Sequence, residues 1–160
     1  MSLWVWATSA WASPGVEHAC LDLQDRAGQS VVLLLWGGWR VARGRSVDPA
    51  IARRTVAIVR PIEMDILRPM RAIRRALAHT PSGLGDQTQQ DIYAQVRAVE
   101  LNLERAMLEA LELQTSEQSF ETEAVADAAQ TILMLMEVWR GGPINEDDRA
   151  LAVALIEALA

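Results

Sequence analysis

Residues 31–39 read Val-Val-Leu-Leu-Leu-Trp-Gly-Gly-Trp, with no charged or hydrogen-bonding side chain apart from the two indoles. The run is about half as long as a helix that crosses a membrane, yet it is too apolar for a surface. A helix that is apolar on every side has to be enclosed by other elements. These residues therefore predict a central helix over 31–43, with Trp36 and Trp39 on adjacent edges. The rest of the chain must supply its cover.

The cover reads as helices too. Alanine and leucine dominate, six of the eight aromatic residues are Trp, and strand-like alternation is nearly absent, a profile of packed helices. Ser13 before Pro14 predicts a helix start, followed by an inward stripe of Val16, Ala19, Cys20 and Leu23 to about Asp25. Gly28 is placed to stop that helix and Ser30 to cap the next. Asp48 and Pro49 open a third, whose Ile51, Ile58, Ile62, Ile66, Ile73 and Leu77 keep an inward stripe through about Ala78. Pro61 and Pro69 must interrupt it, giving a kinked helix or two or three short ones. After the Pro-, Gly- and Ser-rich stretch near 80–86 comes the longest pattern, Asp86 to about Gln114, with Ile92, Val96, Val99, Leu103, Met107 and Ala110 on one face. A helix over Glu121–Arg140 ends at Gly141-Gly142-Pro143, and Asn145 caps the last one. The expected fold is all-α: an irregular bundle of six or seven helices in a single domain over 1–160.

Charge divides the chain. Residues 1–80 carry eleven Arg against six acids, net +5, whereas residues 81–160 carry four Arg against fifteen acids, net −11; there is no lysine. Two arrangements follow. The arginines at 53, 60, 68, 71 and 75 lie along an acidic helix holding Glu100, Glu104, Glu109 and Glu112, or they form a basic strip for an outside partner. Exposed pairs contribute only about 0–1 kcal/mol each, so internal pairing would orient helices more than stabilise them. The net charge of −6 makes nucleic acid a poor partner. One cysteine, Cys20, and two histidines leave no internal disulfide and no Cys/His zinc site of the usual type. The Trp-rich start has small residues after an apolar stretch but no basic residue before it, unlike a secretory signal. The expected compartment is the cytoplasm, with no membrane span.

Around Cys20-Leu21-Asp22-Leu23-Gln24, Gly28 and Val31 to Leu35, then Trp39 and the later Arg71, Ile73 and Arg74, the sequence resembles a family of small proteobacterial proteins of uncharacterised function. That family carries Cys-Leu-x-Leu-Gln, a glycine, Asp-Val-Asn-Leu-Leu-Leu and an arginine-rich segment downstream. Here Ser30-Val31-Val32 stands for its Asp-Val-Asn. An activity carried by that asparagine would be lost at Val32. The resemblance supplies an identity and no chemistry.

Candidate chemistry is sparse. Asp22 and Asp25 are spaced to share a cation, and with nearby arginines could take a diphosphate in a pocket lined by Trp36 and Trp39, as in all-helical prenyl-transferring enzymes; the second acidic motif of such enzymes is missing. The plain reading is that Gln24 and Asp25 bond loop groups near Gly28. Glu100 and Glu104 lack the Glu-x-x-His partners of a di-metal bundle. No catalytic triad or phosphate-cradling glycine loop is present, and no cofactor or metal is implied. The sequence thus points to a non-enzymatic interaction or regulatory protein with a protein partner, its surface built from Gln24, Asp25, Gly28, Arg68, Arg71 and Arg74. A small enzyme or binding protein for an anionic or isoprenoid-diphosphate-like ligand is the alternative, and pairing of two copies through the Trp-rich start is a third reading.

Overall fold

The computed structural model describes residues 1–79, 83–116 and 127–160, the side chains of 115 and 116 excepted. Positions 80–82 of the expected loop, and the part of the expected Glu121–Arg140 helix before Asp127, lie outside the described residues. Among the described residues every regular element is helical: α1 (Leu3–Trp11), α2 (Val16–Ala27), α3 (Val31–Ala42), α4 (Pro49–Ile62), α5 (Arg68–His79), α6 (Asp86–Ser116), α7 (Ala128–Arg140) and α8 (Glu146–Leu159). A π-helical turn, Glu63–Leu67, joins α4 to α5 in one rod. Counting the rod once gives seven helices, and the fold is all-α.

α3 is the hub. Val31 through Arg40 are all buried, and the helix packs on α1, α2, α4, α6 and α7. Its two glycines set the distances. A Cβ on Gly37 would lie 2.5 Å from Leu135 Cδ1 of α7, and one on Gly38 would lie 2.9 Å from the Trp6 ring of α1. Any larger residue would push these neighbours off the hub. Trp4, Trp6 and Trp11 are half-buried against the core, so the Trp-rich start becomes a helix that covers α3.

The stop and start residues act locally, as side-chain chemistry dictates. Ser30 Oγ accepts from Leu33 N at 3.4 Å, Asp48 from Ile51 N at 2.7 Å, and Asn145 from Asp148 N at 2.7 Å, each satisfying an amide that has no intrahelical partner. Gly28 and Gly141 end their helices with φ of 64° and 82°, backbone that a glycine adopts without strain. One start differs from expectation. α2 begins at Val16 behind a left-handed Gly15, not at Pro14, because the Ser13 hydroxyl turns back to Ser9 O at 3.3 Å and belongs to the end of α1.

The rod departs most from the sequence reading. Ile51 is buried as expected, but Ile66 and Ile73 are 43% and 52% exposed, and Ile58, Ile62 and Leu77 are only half-buried. The buried line is instead Val59, Glu63, Leu67 and Arg71. Its members stand four apart, and in an ideal α-helix three such steps would drift by about 120°. The π turn absorbs that drift by taking an extra residue: Arg68 N bonds to Glu63 O rather than to the carbonyl four back. Pro69, lacking an N–H, could not have made the next α-helical bond in any case. The prolines therefore produce a change of phase within a continuous rod, not a break.

α6 is corrected likewise. Of its expected inward face only Met107 is buried, while Val99 is 47% exposed; the other buried positions are Glu100, Leu108 and Leu111. α6 meets α1 and α3, and α5 packs on α6 and the π turn while burying only Arg71.

Candidate functional site

The line that the π turn brings inward carries the strongest concentration of buried charge. Glu63 is 2% exposed, Arg71 4% and Glu100 6%. Arg71 sits between two acids: Nη1 donates to Glu63 Oε1, and Nη2 donates to Glu104 Oε1 at 2.8 Å. The other Glu63 oxygen accepts from Ser30 Oγ at 3.2 Å, so the hydroxyl that caps α3 also ties it to the rod. One turn further along α5, Arg74 Nε donates to both oxygens of Glu100 at 3.0 Å. Arg71 and Arg74, three apart on α5, thus meet Glu104 and Glu100, four apart on the antiparallel α6.

Electrostatics follow from the packing. Burial alone would lower the Arg71 pKa, but Glu63 and Glu104 outweigh it and raise it. Arg74 is raised against the same effect of burial by Tyr93 and Glu100. Burial lifts the Glu104 carboxyl above its ordinary range; Arg71 pulls it back, while Glu63 and Glu100 push it further up. With three carboxylates and two guanidinium groups the cluster carries one negative charge in excess of balance. Glu104, whose side chain is 29% exposed, is where that imbalance reaches solvent.

The junction at the end of α2 lies beside this cluster. The Gly28 carbonyl accepts from Trp139 Nε1 at 2.8 Å and from Arg68 Nη2 at 3.2 Å. Asp25 accepts from Gln24 Nε2 at 3.1 Å and from Arg75 at 3.3 Å. Gly28, Asp25 and Gln24 therefore do meet the arginine face of α5, through Arg68 and Arg75. Arg71 and Arg74 turn away to the acids of α6. Of the expected stripe, Arg71 pairs with the acidic helix, and Arg74, outside the stripe, does so as well; Arg75 pairs with Asp25 of α2, Arg60 bonds the Trp139 carbonyl, Glu109 pairs with Arg105 at 2.8 Å, and Glu112 accepts from Leu3 N at 2.9 Å. The pairs of Arg71 and Arg74 are also more buried than the surface pairs expected from sequence.

The residues of the alternative pocket are engaged elsewhere. Asp22 lies 3.3 Å from His18 and 3.9 Å from Arg26, both on its own helix. Trp36 and Trp39 are in the core, with Arg40 5.9 Å and Arg43 5.0 Å from their ring centroids. Val32, at the position of the family asparagine, is 2% exposed. Among the described residues no three of His, Cys, Asp or Glu stand as a metal-holding group. Cys20 is fully buried, and burial pushes its thiol up to about 12, which leaves it inert as a nucleophile.

A family model described as "Protein of unknown function (DUF2390)" matches residues 2–111. The chain belongs to this family. The matched stretch runs from α1 into the last part of α6 and contains Ser30, Glu63, Arg71, Arg74, Glu100 and Glu104. Trp139, which clamps Gly28 from α7, lies beyond it. No curated protein and no solved structure matches the chain.

Sequence reasoning offered Arg71 against the acidic helix as one of two arrangements, and passed over Glu63, Ser30's second bond and the burial of the Arg71–Glu63 pair. The available signal was the pair of prolines flanking Glu63, which marks a place where α-helical phase cannot be kept.

Proposed function

We propose that this DUF2390 protein is a non-enzymatic binding protein of the cytoplasm that receives a protein partner on the outer face of the α4–α5 rod and the groove beside it. The observation that carries this reading is the inversion of the rod, in which Glu63 and Arg71 are buried while Ile66 and Ile73 are exposed. A water-facing stripe of isoleucines has a use when another chain covers it. An apolar cavity of about 110 Å³ between α4 and α6, lined by Ile58, Val59, Ile62, Leu103, Ala106, Met107 and Ala110, offers a seat for an anchor side chain of an amphipathic helix. The net charge of −6 favours protein over nucleic acid. Among the described residues no helix is long and apolar enough to cross a membrane.

Photo-crosslinking amino acids placed at Ile66, Ile73 and, as a control, at Val153 of α8 test the proposal in living cells. One shared adduct from the two rod positions, missing at Val153, supports it. Adducts that are absent at the rod, or the same at all three positions, reject it.

A further inference from the structure

Arg40 is the one residue on the hub helix with a formal charge buried in the core. It is 1% exposed. Its Nη2 donates to Ser46 O at 3.0 Å, and its guanidinium carbon lies 5.9 Å from the Trp36 ring centroid. Among the described residues no carboxylate comes within ion-pair distance of it. Asp48, the nearest acid in sequence, caps α4 through Ile51 N. Arg40 Nε is buried without a hydrogen-bond partner, and so is Trp36 Nε1, one helical turn before it. Both groups only donate. Two buried donors without an acceptor, four positions apart on one helix and one of them charged, are costly unless an acceptor is brought to them.

The surroundings specify the sign of that acceptor. Burial lowers the Arg40 pKa and the positive charge of Arg45 lowers it further, two effects that an anion would oppose. Arg43 and Arg45 are exposed at the same end of α3, where the chain folds back so that Arg45 N bonds Arg40 O at 2.9 Å. Gly44 between them has open space beside its α-carbon. Arg43 is directed elsewhere, over the Trp39 ring and toward Met1 O at 3.3 Å.

We infer that the C-terminal end of α3 binds a small oxyanion of the phosphate or carboxylate type, held by Arg40 Nε and Trp36 Nε1, with Arg45 adding positive charge beside it. The oxyanion replaces the missing acceptor for both donors and neutralises the buried guanidinium. This site is separate from the outer face of the rod, and either can fail without the other.

The indole N–H signals of the six tryptophans in the ¹⁵N-labelled full chain read the site directly, with Trp36→Phe identifying the Trp36 signal. Sodium phosphate and sodium acetate are titrated separately against sodium chloride at matched ionic strength. The expected result is a saturable shift of the Trp36 signal with at least one oxyanion while the other five stay in place; the active arm names the phosphate or the carboxylate class. Arg40→Met should weaken the apparent affinity at least about tenfold, the worth of a charge-assisted hydrogen bond. Arg45→Gln, an exposed change that leaves the core intact, should weaken it several-fold and keeps the test decisive where Arg40→Met fails to fold. A Trp36 signal that neither oxyanion moves, that chloride moves equally, or whose titration is unchanged in Arg45→Gln overturns the inference.

Discussion

The contact of α3 with α7 and the contact of α5 with α6 hold the same domain by different means. In the first, Gly37 lets Leu135, Thr131 and Ile132 come against the hub backbone, and the fit is one of shape. In the second, Arg71 and Arg74 bridge to Glu104 and Glu100, and the fit is one of charge. Shape tolerates change in proportion to the volume removed. Buried charge does not, because a lost partner leaves the other ion desolvated and unpaired. The lesson is that the α5–α6 seam is specified by pairing, and its apolar residues are thereby released to the outside.

Five substitutions would break or sharpen that contrast. The largest effect is expected from Arg71→Met, which strands Glu63 at 2% exposure; denaturant unfolding should show a loss of about 3–5 kcal/mol. Adding Glu63→Leu should recover most of it, since an apolar pair of similar volume replaces a buried ion pair at little net cost. A double variant as unstable as Arg71→Met alone would mean that the loss is one of shape. Next, Leu135→Ala at the α3–α7 contact should cost about 3 kcal/mol by transfer and cavity terms, measured in the same way, with no rescue available from a charge change.

A smaller effect tests Glu104, whose carboxyl is held above its ordinary range by burial. Burial raises the Glu104 pKa in the folded state, so the folded protein holds this proton more tightly than the unfolded chain does. The resulting stabilisation is complete below the ordinary carboxylate pKa and is lost as pH rises through the raised one. Subtracting the stability of Glu104→Gln from that of the wild type should therefore give a difference that grows as pH falls from neutral and levels off at the ordinary carboxylate range. A difference that shrinks on acidification would show that Arg71 dominates the site. The smallest change is expected at the rim: Asp25→Asn removes a pair whose side chains are 50% and 51% exposed and should alter the unfolding free energy by less than about 1 kcal/mol. A larger loss would make the Asp25–Arg75 contact part of the buried seam.

The parts of this arrangement legible in the sequence are those written within a few neighbouring residues. Ser30, Asp48-Pro49 and Asn145 mark helix starts because a short polar side chain can reach an amide two or three positions on. Gly28 and Gly141 mark ends because their φ is positive. The stripe of α2 was readable as well, since one α-helical period governs its whole length. Of the candidate site, the sequence offered the placing of Arg71 along the helix of Glu104 as one of two arrangements, while its burial against Glu63 was not legible. Between 49 and 79 the sequence contains two stripes, one through Ile58, Ile62, Ile66 and Ile73, the other through Val59, Glu63, Leu67 and Arg71. Hydrophobicity favours the first.

The chain by itself determined that it would be helical, that 31–40 would lie in the middle, and where most helices begin and end, because capping and apolar content act over one or two turns. Only the tertiary structure decided which side of the rod faces inward. Arg71 can be buried because Glu63 reaches it through a π turn and Glu104 meets it from a helix thirty-three positions away. No local pattern carries the free energy of a pair whose members are joined only when the fold closes.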